Sequence, residues 1–387
     1  MIEWQLWWCR VEPIPISEAQ FDDLRRIVLR TINKNQVLIL KHIPRIPASV
    51  TSVLREISGK YDVPLSTLKR NAQILRELNL IRYGEALDFA GVELTELGRF
   101  ISSLIVDGDS SLLENMVKTR TGFRPFAALT RDLRKRILRM IAEAGSGHLG
   151  SSLSVVDIIA VLYFMKMRYD PSNPEWPERD RLVLSKGHAA PALYAILAEA
   201  GYFSVEALSS LRMLGGILPG HPEAKTPGVD ASTGSLGQGL SIAVGMALAA
   251  KMDGAGYKVF VILGDGELNE GQIWEAALTA AHHRLDNIIA IVDRNGYQLT
   301  GGTEEVKSLG DLTDKWRAFG WEAKDVDGHD PARILDALDK CDMTMGKPSV
   351  IIAKTTKGKG ISFMEGNGFS RKAPDAQELK RALMELT

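Results

Sequence analysis

An acid and an amide follow two apolar runs of the sequence, and these two side chains have the clearest chemical meaning. Asp265 stands between Gly264 and Gly266 after the run Val-Phe-Val-Ile-Leu, and Asn295 follows a second apolar run 30 residues later. Carboxylate and amide oxygens are the ligands that Mg²⁺ and Ca²⁺ prefer. The two glycines allow backbone N–H groups to come close to a diphosphate. The pattern predicts a metal-bound diphosphate at the ends of the two runs.

Three histidines stand in glycine-rich segments elsewhere in the chain. They are His148 in Gly-Ser-Gly-His-Leu-Gly, His188 in Ser-Lys-Gly-His-Ala and His221 in Pro-Gly-His-Pro-Glu, and a fourth such segment covers residues 233–239. One histidine beside a glycine is usually a loop residue, but three of them after the ends of predicted elements favour a common site. A neutral imidazole can donate or accept a proton near neutral pH. The three histidines are therefore candidates for acid–base chemistry.

A parallel sheet would bring these segments together. Residues 257–263 and 287–293 are continuous apolar runs with a helical pattern between them, which is typical of neighbouring buried strands joined by a right-handed crossover. Further strands are predicted at 181–184, 321–326 and 348–354, and further helices at 133–144, 155–167, 191–200, 237–252 and 331–340. The fold class predicted for residues 123–387 is α/β, a doubly wound and mostly parallel sheet. Such sheets bind ligands at the carboxyl ends of their strands.

Residues 1–106 show a different pattern and are predicted to form a separate, small α+β domain, with residues 107–122 as a linker. Helices are predicted at 51–61 and 67–78, the second capped by Ser66, and a β-hairpin at 80–84 and 92–95. This order of elements resembles a winged helix-turn-helix domain.

The second of these helices carries the basic residues Lys69, Arg70 and Arg76, and Arg82 stands on the predicted hairpin. One interpretation places the helix in the major groove of DNA with Arg82 near a phosphate. The other treats the basic residues as the solvated face of an amphipathic helix, in a domain that contacts a partner subunit or a second copy. The sequence leaves both interpretations open.

The segments around the three histidines, the segment 233–239 and the Gly-Asp-Gly…Asn pair follow one another in the order and spacing of transketolase motifs. The chain resembles transketolases from about Phe123 to its C-terminus. The resemblance implies thiamine diphosphate as cofactor, together with Mg²⁺ or Ca²⁺. It also implies that His188 contacts the cofactor diphosphate and that His148 and His221 face hydroxyls of the sugar donor.

The same resemblance implies roles for further residues: cofactor contacts by Gly234, Leu236, Gly264, Gly266 and Asn295, metal ligation by Asp265, Asn295 and the backbone carbonyl of Tyr297, and a proton relay at a subunit interface through Glu270. The sequence equally allows Glu270 to be an acid of a first helical turn, where the helix dipole favours negative charge.

Two positions depart from the family pattern. Ser370 stands where the family has a histidine, so a cofactor- and substrate-facing imidazole is missing. Either Ser370 or Arg371 takes over part of its role, or the reaction is slower, altered or lost. Leu149 replaces a proline after the first histidine, and we expect this change to affect only the stiffness of the loop.

Transketolases use a glutamate from a second domain to activate the cofactor, and we find no second domain in the 387 residues. We therefore expect an N-terminal subunit of a split transketolase. Such a subunit transfers a two-carbon ketol unit between sugar phosphates only with a C-terminal, pyrimidine-binding partner, in an α₂β₂ assembly. The alternative is a DNA-binding regulator whose transketolase-like domain senses the cofactor or a sugar phosphate without catalysis.

Composition excludes several other classes of protein. The net charge of −1 offers no overall attraction to nucleic acid or to a membrane, and two cysteines do not make a disulfide framework. No apolar run approaches the roughly 18 residues of a membrane helix, and the first residues do not resemble a signal peptide. We expect a cytoplasmic protein. The basic loop 354–360 is expected to be exposed to solvent or, alternatively, to lie near the cofactor.

Overall fold

The computed structural model describes residues 33–43, 49–77, 80–83, 92–94, 116–119, 122–299, 301–366 and 372–386. The chain divides into two compact units, Met1–Asn115 and Met116–Thr387. Ser370 and Arg371, which bear on the missing family histidine, lie outside the described residues.

The described part of the first unit contains three helices and a short antiparallel pair of strands. These are α1 Lys34–His42, α2 Val50–Tyr61, α3 Leu65–Glu77, β1 Ile81–Arg82 and β2 Glu93–Leu94. Ile57, Leu68 and Leu75 are fully buried at its centre. The two predicted helices and the predicted pairing of strands are present, with Ile81 opposite Leu94. The winged-helix interpretation stays a prediction.

The predicted cap at Ser66 is wrong. Helix α3 already begins at Leu65, and the N–H of Leu68 donates to the carbonyl of Pro64 at 3.1 Å. Ser66 therefore lies inside the first turn, because the residue that flanks the helix is Pro64.

The strands of the second unit are β3 Met116–Thr119, β4 Gly122–Pro125, β5 Arg181–Leu184, β6 Val259–Gly264, β7 Ile288–Arg294, β8 Tyr297–Gln298, β9 Gly301–Gly302, β10 Glu322–Asp327 and β11 Ser349–Lys354. Its α-helices are α4 Phe126–Ala144, α5 Leu149–Ser154, α6 Val156–Val161, α7 Ala190–Ala200, α8 Gln238–Asp253, α9 Gly271–His282, α10 Thr303–Lys307, α11 Leu312–Ala318, α12 Pro331–Asp342 and α13 Ala376–Glu385. A π-helical turn, Leu162–Lys166, and 3₁₀ turns at Gly187–Ala189, Val205–Ser210 and Gly266–Asn269 complete the list.

Five of these strands form one parallel sheet in the order β10-β11-β7-β6-β5. This confirms the predicted α/β class. Strands β3 and β4 form a separate antiparallel pair, and β3 occupies part of the sequence that was predicted as a linker. In the sheet, Gly264 is paired with Asp293, so the residues that follow β6 and β7 emerge side by side at one edge.

Both faces of the sheet are covered by helices. On β6, Phe260 and Ile262 face a core with helices α4, α6, α7 and α12, whereas Val261 and Leu263 face a core with α8, α9 and α11. This alternation along one strand is the double winding that the apolar runs predicted. No helix of the described segments is long and apolar enough to cross a membrane.

Helix α8 approaches strand β5 very closely through Gly239. A Cβ atom at Gly239 would lie 2.4 Å from Ser185 Oγ and 2.6 Å from Ser185 Cα. Because backbone lies in the way, no side-chain movement could relieve the contact. The close approach fixes the start of α8 against the carboxyl end of β5.

We predict that Gly239→Ala lowers the free energy of unfolding by about 1–3 kcal/mol, because the added methyl group overpacks this contact. Gly245→Ala in the same helix is the matched control, since a Cβ at Gly245 meets no atom within 4 Å. The control should gain about 0.5–1 kcal/mol from the helix propensity of alanine. Urea unfolding followed by circular dichroism measures both, and equal stabilities would contradict the prediction.

Candidate functional site

Asp265 links the end of strand β6 to the turn after β7. Its Oδ1 accepts a hydrogen bond from the N–H of Gly266 at 2.8 Å, and its Oδ2 accepts one from the N–H of Gly296 at 2.7 Å. The hydroxyl of Thr303 donates to Oδ2 at 3.3 Å. The parallel register therefore brings Asp265 to the turn that begins at Asn295, as the spacing in the sequence predicted.

The N–H groups of the two glycines beside Asp265 donate to carboxylates of the protein. The Gly264 N–H donates to Glu267 Oε2 at 2.9 Å, and the Gly266 N–H is used by Asp265. Both N–H groups thus have acceptors within the protein, and the approach of backbone N–H groups to a diphosphate at these glycines stays a prediction. A Cβ at Gly266 would come within 2.9 Å of Gln298 Cγ, so Gly266 serves the close packing of the turn.

Asn295 is buried, and both ends of its amide have partners. Its Oδ1 accepts from the N–H of Tyr297 at 3.1 Å, and its Nδ2 donates to Asp293 Oδ2 at 3.3 Å. The hydroxyl of Tyr297 donates to the carbonyl of Gly366, and Lys357 Nζ lies 5.3 Å from the centre of the Tyr297 ring. Lys357 itself is buried, so solvent exposure of the loop 354–360 does not extend to this residue.

A buried ion pair between Lys186 and Asp293 lies beside the turn. Asp293 Oδ2 accepts from Lys186 Nζ and, at 2.7 Å, from Ser154 Oγ, while its Oδ1 accepts from Thr355 Oγ1. Lys186 also donates to the carbonyl of Ser151 at 3.0 Å. Burial raises the pKa of Asp293, but Lys186 and the hydroxyl donors outweigh burial and lower the pKa overall. The sequence pattern did not indicate this pair, although it contains a lysine in Ser-Lys-Gly-His and an acid in an apolar strand.

Among the residues that the structure describes, Asp265 has no such cationic partner at hydrogen-bonding distance. Burial and the nearby carboxylate of Asp293 raise the pKa of Asp265 to about 6, despite the N–H donors of Gly296 and Gly266. A divalent cation at Asp265 would offset this excess of negative charge, so the residues fit a metal ion. Within the described part of the chain, no group of three or more His, Cys, Asp or Glu side chains could hold a metal. A cation here would therefore need amide, carbonyl and ligand oxygens as well.

The three histidines lie near one another at the end of strand β5 and in the neighbouring loops. The ring centres of His148 and His188 are 5.0 Å apart. Burial, followed by the charges of Lys186, His148 and His221, lowers the pKa of His188 to about 3. A Cβ at Gly234 would lie 3.4 Å from His221 Cδ2, so the segment 233–239 packs beneath His221. His188 is therefore a neutral imidazole at physiological pH.

Arg212 joins the loops of two of the histidines. Its guanidinium donates to Ser146 Oγ at 2.9 Å, two residues before His148. Partial burial and the charge of Arg212 lower the pKa of His221. Arg212 has a φ of 59°, an unfavourable backbone conformation for a residue with a side chain. No sequence motif pointed to Arg212, because its backbone angle and its contacts leave no mark on residue spacing.

Glu270 and Leu236 lie on the accessible side of the loops. Glu270 is exposed at the start of helix α9 without a side-chain capping bond, and a Cβ at Gly237 would lie 3.0 Å from its Cβ. The buried acid of this region is Glu267, which accepts from the N–H of Gly237 at 2.8 Å. Burial raises the pKa of Glu267 despite its hydrogen-bond donors. Leu149 is the first residue of helix α5 and is fully buried, so its side chain contributes to the core.

A second buried network fixes the loop after strand β11. Arg134 forms two hydrogen bonds with Asp157, of 3.2 and 2.6 Å, and Arg134 Nε donates to the carbonyl of Lys359 at 3.1 Å. His329 Nδ1 lies 2.7 Å from Asp157 Oδ2, and the N–H of Thr356 donates to His329 Nε2 at 2.9 Å. The loop that carries Lys357 is thus held at both ends.

The raised pKa of Asp265 predicts a dependence of stability on pH. Its folded pKa of about 6 lies above the usual 3.8, so the folded protein binds more protons in between and loses stability as pH rises through this window. Asp265→Asn removes the titration. Without ligands, wild type should lose about 2 kcal/mol of unfolding free energy between pH 4.5 and pH 7.5 through this group, and the variant should not. The difference in unfolding free energy, variant minus wild type, should therefore rise by about 2 kcal/mol over this range. Urea unfolding at both pH values measures this. Asp253→Asn, at an exposed position, should show no such change, and a gap independent of pH for Asp265→Asn would contradict the prediction.

Comparisons with known proteins match most of the second unit. The sequence profile described as "Transketolase, thiamine diphosphate binding domain" matches residues 128–384. The 6-deoxy-6-sulfo-D-fructose transketolase subunit of Clostridium sp. (strain MSTE9) is 51% identical over 256 residues, which are 66% of this chain and 93% of that protein. An apulose-4-phosphate transketolase subunit of Phocaeicola vulgatus is 44% identical over 255 residues, or 66% of this chain and 91% of that protein.

A solved structure shows the same fold. The transketolase of Campylobacter jejuni superposes with a TM-score of 0.65 at 37% identity, and the match covers 67% of this chain but only 42% of that longer chain. The matched part thus corresponds to less than half of a full-length transketolase and to nearly the whole of the related subunits. The chain belongs to the transketolase family, and its residues 128–384 are the thiamine diphosphate-binding, N-terminal domain of that family.

Proposed function

We propose that the chain is the N-terminal subunit of a two-subunit transketolase. It binds thiamine diphosphate with Mg²⁺ or Ca²⁺ and, with a C-terminal, pyrimidine-binding partner in an α₂β₂ assembly, transfers a two-carbon ketol unit between sugar phosphates. The observation that carries the proposal is the meeting of Asp265 with the Asn295 turn at one sheet edge, where no cationic side chain of the described segments lies at hydrogen-bonding distance from Asp265. Cytoplasmic location stays a prediction.

The names of the relatives support a divided enzyme. Two relatives that this chain covers almost entirely are called transketolase subunits, and their names specify 6-deoxy-6-sulfo-D-fructose and apulose 4-phosphate. Both names include an anionic group, a sulfo group in one and a phosphate in the other. We extend this to the present chain as an anionic ketose donor, whose anionic group the partner subunit would recognise.

Asp265, the amide oxygen of Asn295 and the backbone carbonyl of Tyr297 would hold the metal ion. Bound thiamine diphosphate supplies the nucleophilic carbon and accepts the electron pair that C–C cleavage releases. Gly264, Gly266, Gly234 and Leu236 would line the cofactor.

The histidines of this chain would serve as uncharged hydrogen-bonding groups. Because its pKa is about 3, His188 would contact the diphosphate as a neutral donor and add no charge to the site. His148 and His221 would orient the hydroxyls of the donor and hold or release their protons, a role worth roughly 10²- to 10⁴-fold in rate. Glu270, exposed at the start of α9, would relay a proton at the contact with another subunit.

Calorimetric titration of the full chain with thiamine diphosphate tests the metal site. We expect binding in the presence of Mg²⁺ and its loss on chelation. Asp265→Ala should weaken binding by about 100-fold or more, since it removes a charged ligand and exceeds the 10- to 100-fold effect of outer-shell partners. Asp253→Ala should bind like wild type, and unchanged binding by Asp265→Ala would refute the proposed metal site.

Adding the partner subunit should be required for ketol transfer, so full turnover by this chain alone would refute the divided enzyme.

The first unit supports a second candidate function, DNA binding. Helix α3 buries Leu68 and Leu75 and exposes Lys69, Arg70 and Arg76, so its basic face is turned to solvent. Arg82 on β1 is exposed as well. We propose that this face contacts the phosphates of duplex DNA. If the chain were a regulator that only senses its cofactor, this activity would be present without ketol transfer.

Binding of a random-sequence duplex at several salt concentrations tests the second candidate. Replacing Lys69 and Arg70 by alanine should reduce the slope of log K against log salt by about 2, because each phosphate contact contributes about 0.9. Replacing Arg55 and Lys60, which are exposed on α2, is the control with the same change in charge. Equal slopes for the two double variants would exclude α3 as the DNA-binding element.

A further inference from the structure

The amide of Asn295 could adopt two orientations that differ only by exchange of its oxygen and nitrogen. In the structure, Nδ2 points to Asp293 Oδ2 at 3.3 Å, and Oδ1 accepts from the N–H of Tyr297 at 3.1 Å. An ionised carboxylate can only accept hydrogen bonds. Asp293, together with the N–H of Tyr297, therefore selects the orientation in which the amide nitrogen faces inward and the oxygen faces the turn.

We infer that Asp293, paired with Lys186, is a positioning residue for the divalent ion, because it sets the amide of Asn295 with its oxygen available as a ligand. The inference rests on the proposed function and extends it to two residues for which the family resemblance implied no role. Neither residue would touch the ion. Their effect would pass through Asn295.

The surroundings of Asp293 hold its carboxylate in one position. Ser154 from helix α5 and Thr355 after strand β11 donate to it in addition to Lys186. Asp293 has no exposed surface, and the side chain of Lys186 is 1% exposed. With these donors and the amide of Asn295 around its two oxygens, the carboxylate cannot rotate without breaking hydrogen bonds. The orientation that it imposes on Asn295 is therefore fixed before any ligand binds.

Lys186 has a distinct part in the arrangement. A second carboxylate without a cation beside Asp265 would add to the negative charge already there, and Lys186 offsets the charge of Asp293 through a direct ion pair. Breaking a buried pair by removing one partner leaves an uncompensated charge. In Asp293→Asn that residual charge would be the ammonium of Lys186, which would repel a divalent ion in addition to the loss of orientation.

Binding of Mn²⁺ to the full chain in the presence of thiamine diphosphate, followed by electron paramagnetic resonance, tests the inference without measuring turnover. Asp293→Asn should weaken Mn²⁺ binding by about 10- to 100-fold, as outer-shell partners typically do. Asp230→Asn is the matched control, because the Asp230 side chain is also buried and paired with Arg179 but contacts the N–H of Leu182, near the start of strand β5. It should lose stability yet bind Mn²⁺ like wild type.

Thr355→Val provides a milder variant in case Asp293→Asn does not fold. It removes one hydroxyl donor from Asp293 without leaving a buried charge, and it should weaken Mn²⁺ binding by about two- to tenfold. Absence of Mn²⁺ binding by wild type would refute the proposed metal site itself. If wild type binds, the inference is overturned by unchanged binding in both Asp293→Asn and Thr355→Val, or by an equal loss in Asp230→Asn.

Discussion

A lysine and an aspartate without access to water form the ion pair on which the arrangement of the site depends. Removing two charges from water costs several kcal/mol per ion unless hydrogen bonds and the opposite charge replace the lost solvent. Lys186 and Asp293 meet this requirement only when Ser154, Thr355 and Asn295 are in place around the carboxylate. The constraint therefore ties strands β5 and β7 to helix α5 and to the loop after β11, and no one of these can shift alone.

The two sides of the site differ in their electrostatics for the same reason. Burial lowers the pKa of His188, and the cation of Lys186, two residues before it, acts in the same direction. The carboxylate of Asp293 raises the pKa of Asp265 on the next strand, in addition to burial. The pair of Lys186 and Asp293 thus helps to keep His188 uncharged, and its carboxylate adds to the negative charge beside Asp265, which a cation would offset. The proposed function requires these conditions, because it places an anionic cofactor on a metal ion at the sheet edge and uncharged groups against the substrate.

Much of the fold and part of the site could be predicted from the sequence. Apolar runs without polar interruptions located β6 and β7, and the spacing of Asp265 and Asn295 placed them at neighbouring strand ends, because both features depend on local order along the chain. Helix α5 was missed, since its six residues are too few to show a helical period. The role of Asp293 was missed as well, because its partners are 107 and 139 residues away in the sequence. Gly264 and Gly266 show the limit of motif reasoning: their residue type was recognised, but the acceptors of their N–H groups depend on Glu267 and on the side-chain rotamer of Asp265.

The fastening of the loop after β11 has a consequence for the energetics of binding. Since the N–H of Thr356 points at Nε2 of His329, that nitrogen carries no proton, and the neutral ring donates through Nδ1 to Asp157. The ring is held in a single tautomer between Thr356 and Asp157. It thereby fixes the loop that carries Lys357, whose ammonium lies over the ring of Tyr297. The loop after β11 therefore loses its conformational freedom when the chain folds. A ligand that contacts this loop therefore binds a segment that is already ordered, and less of its binding free energy is lost to ordering the loop.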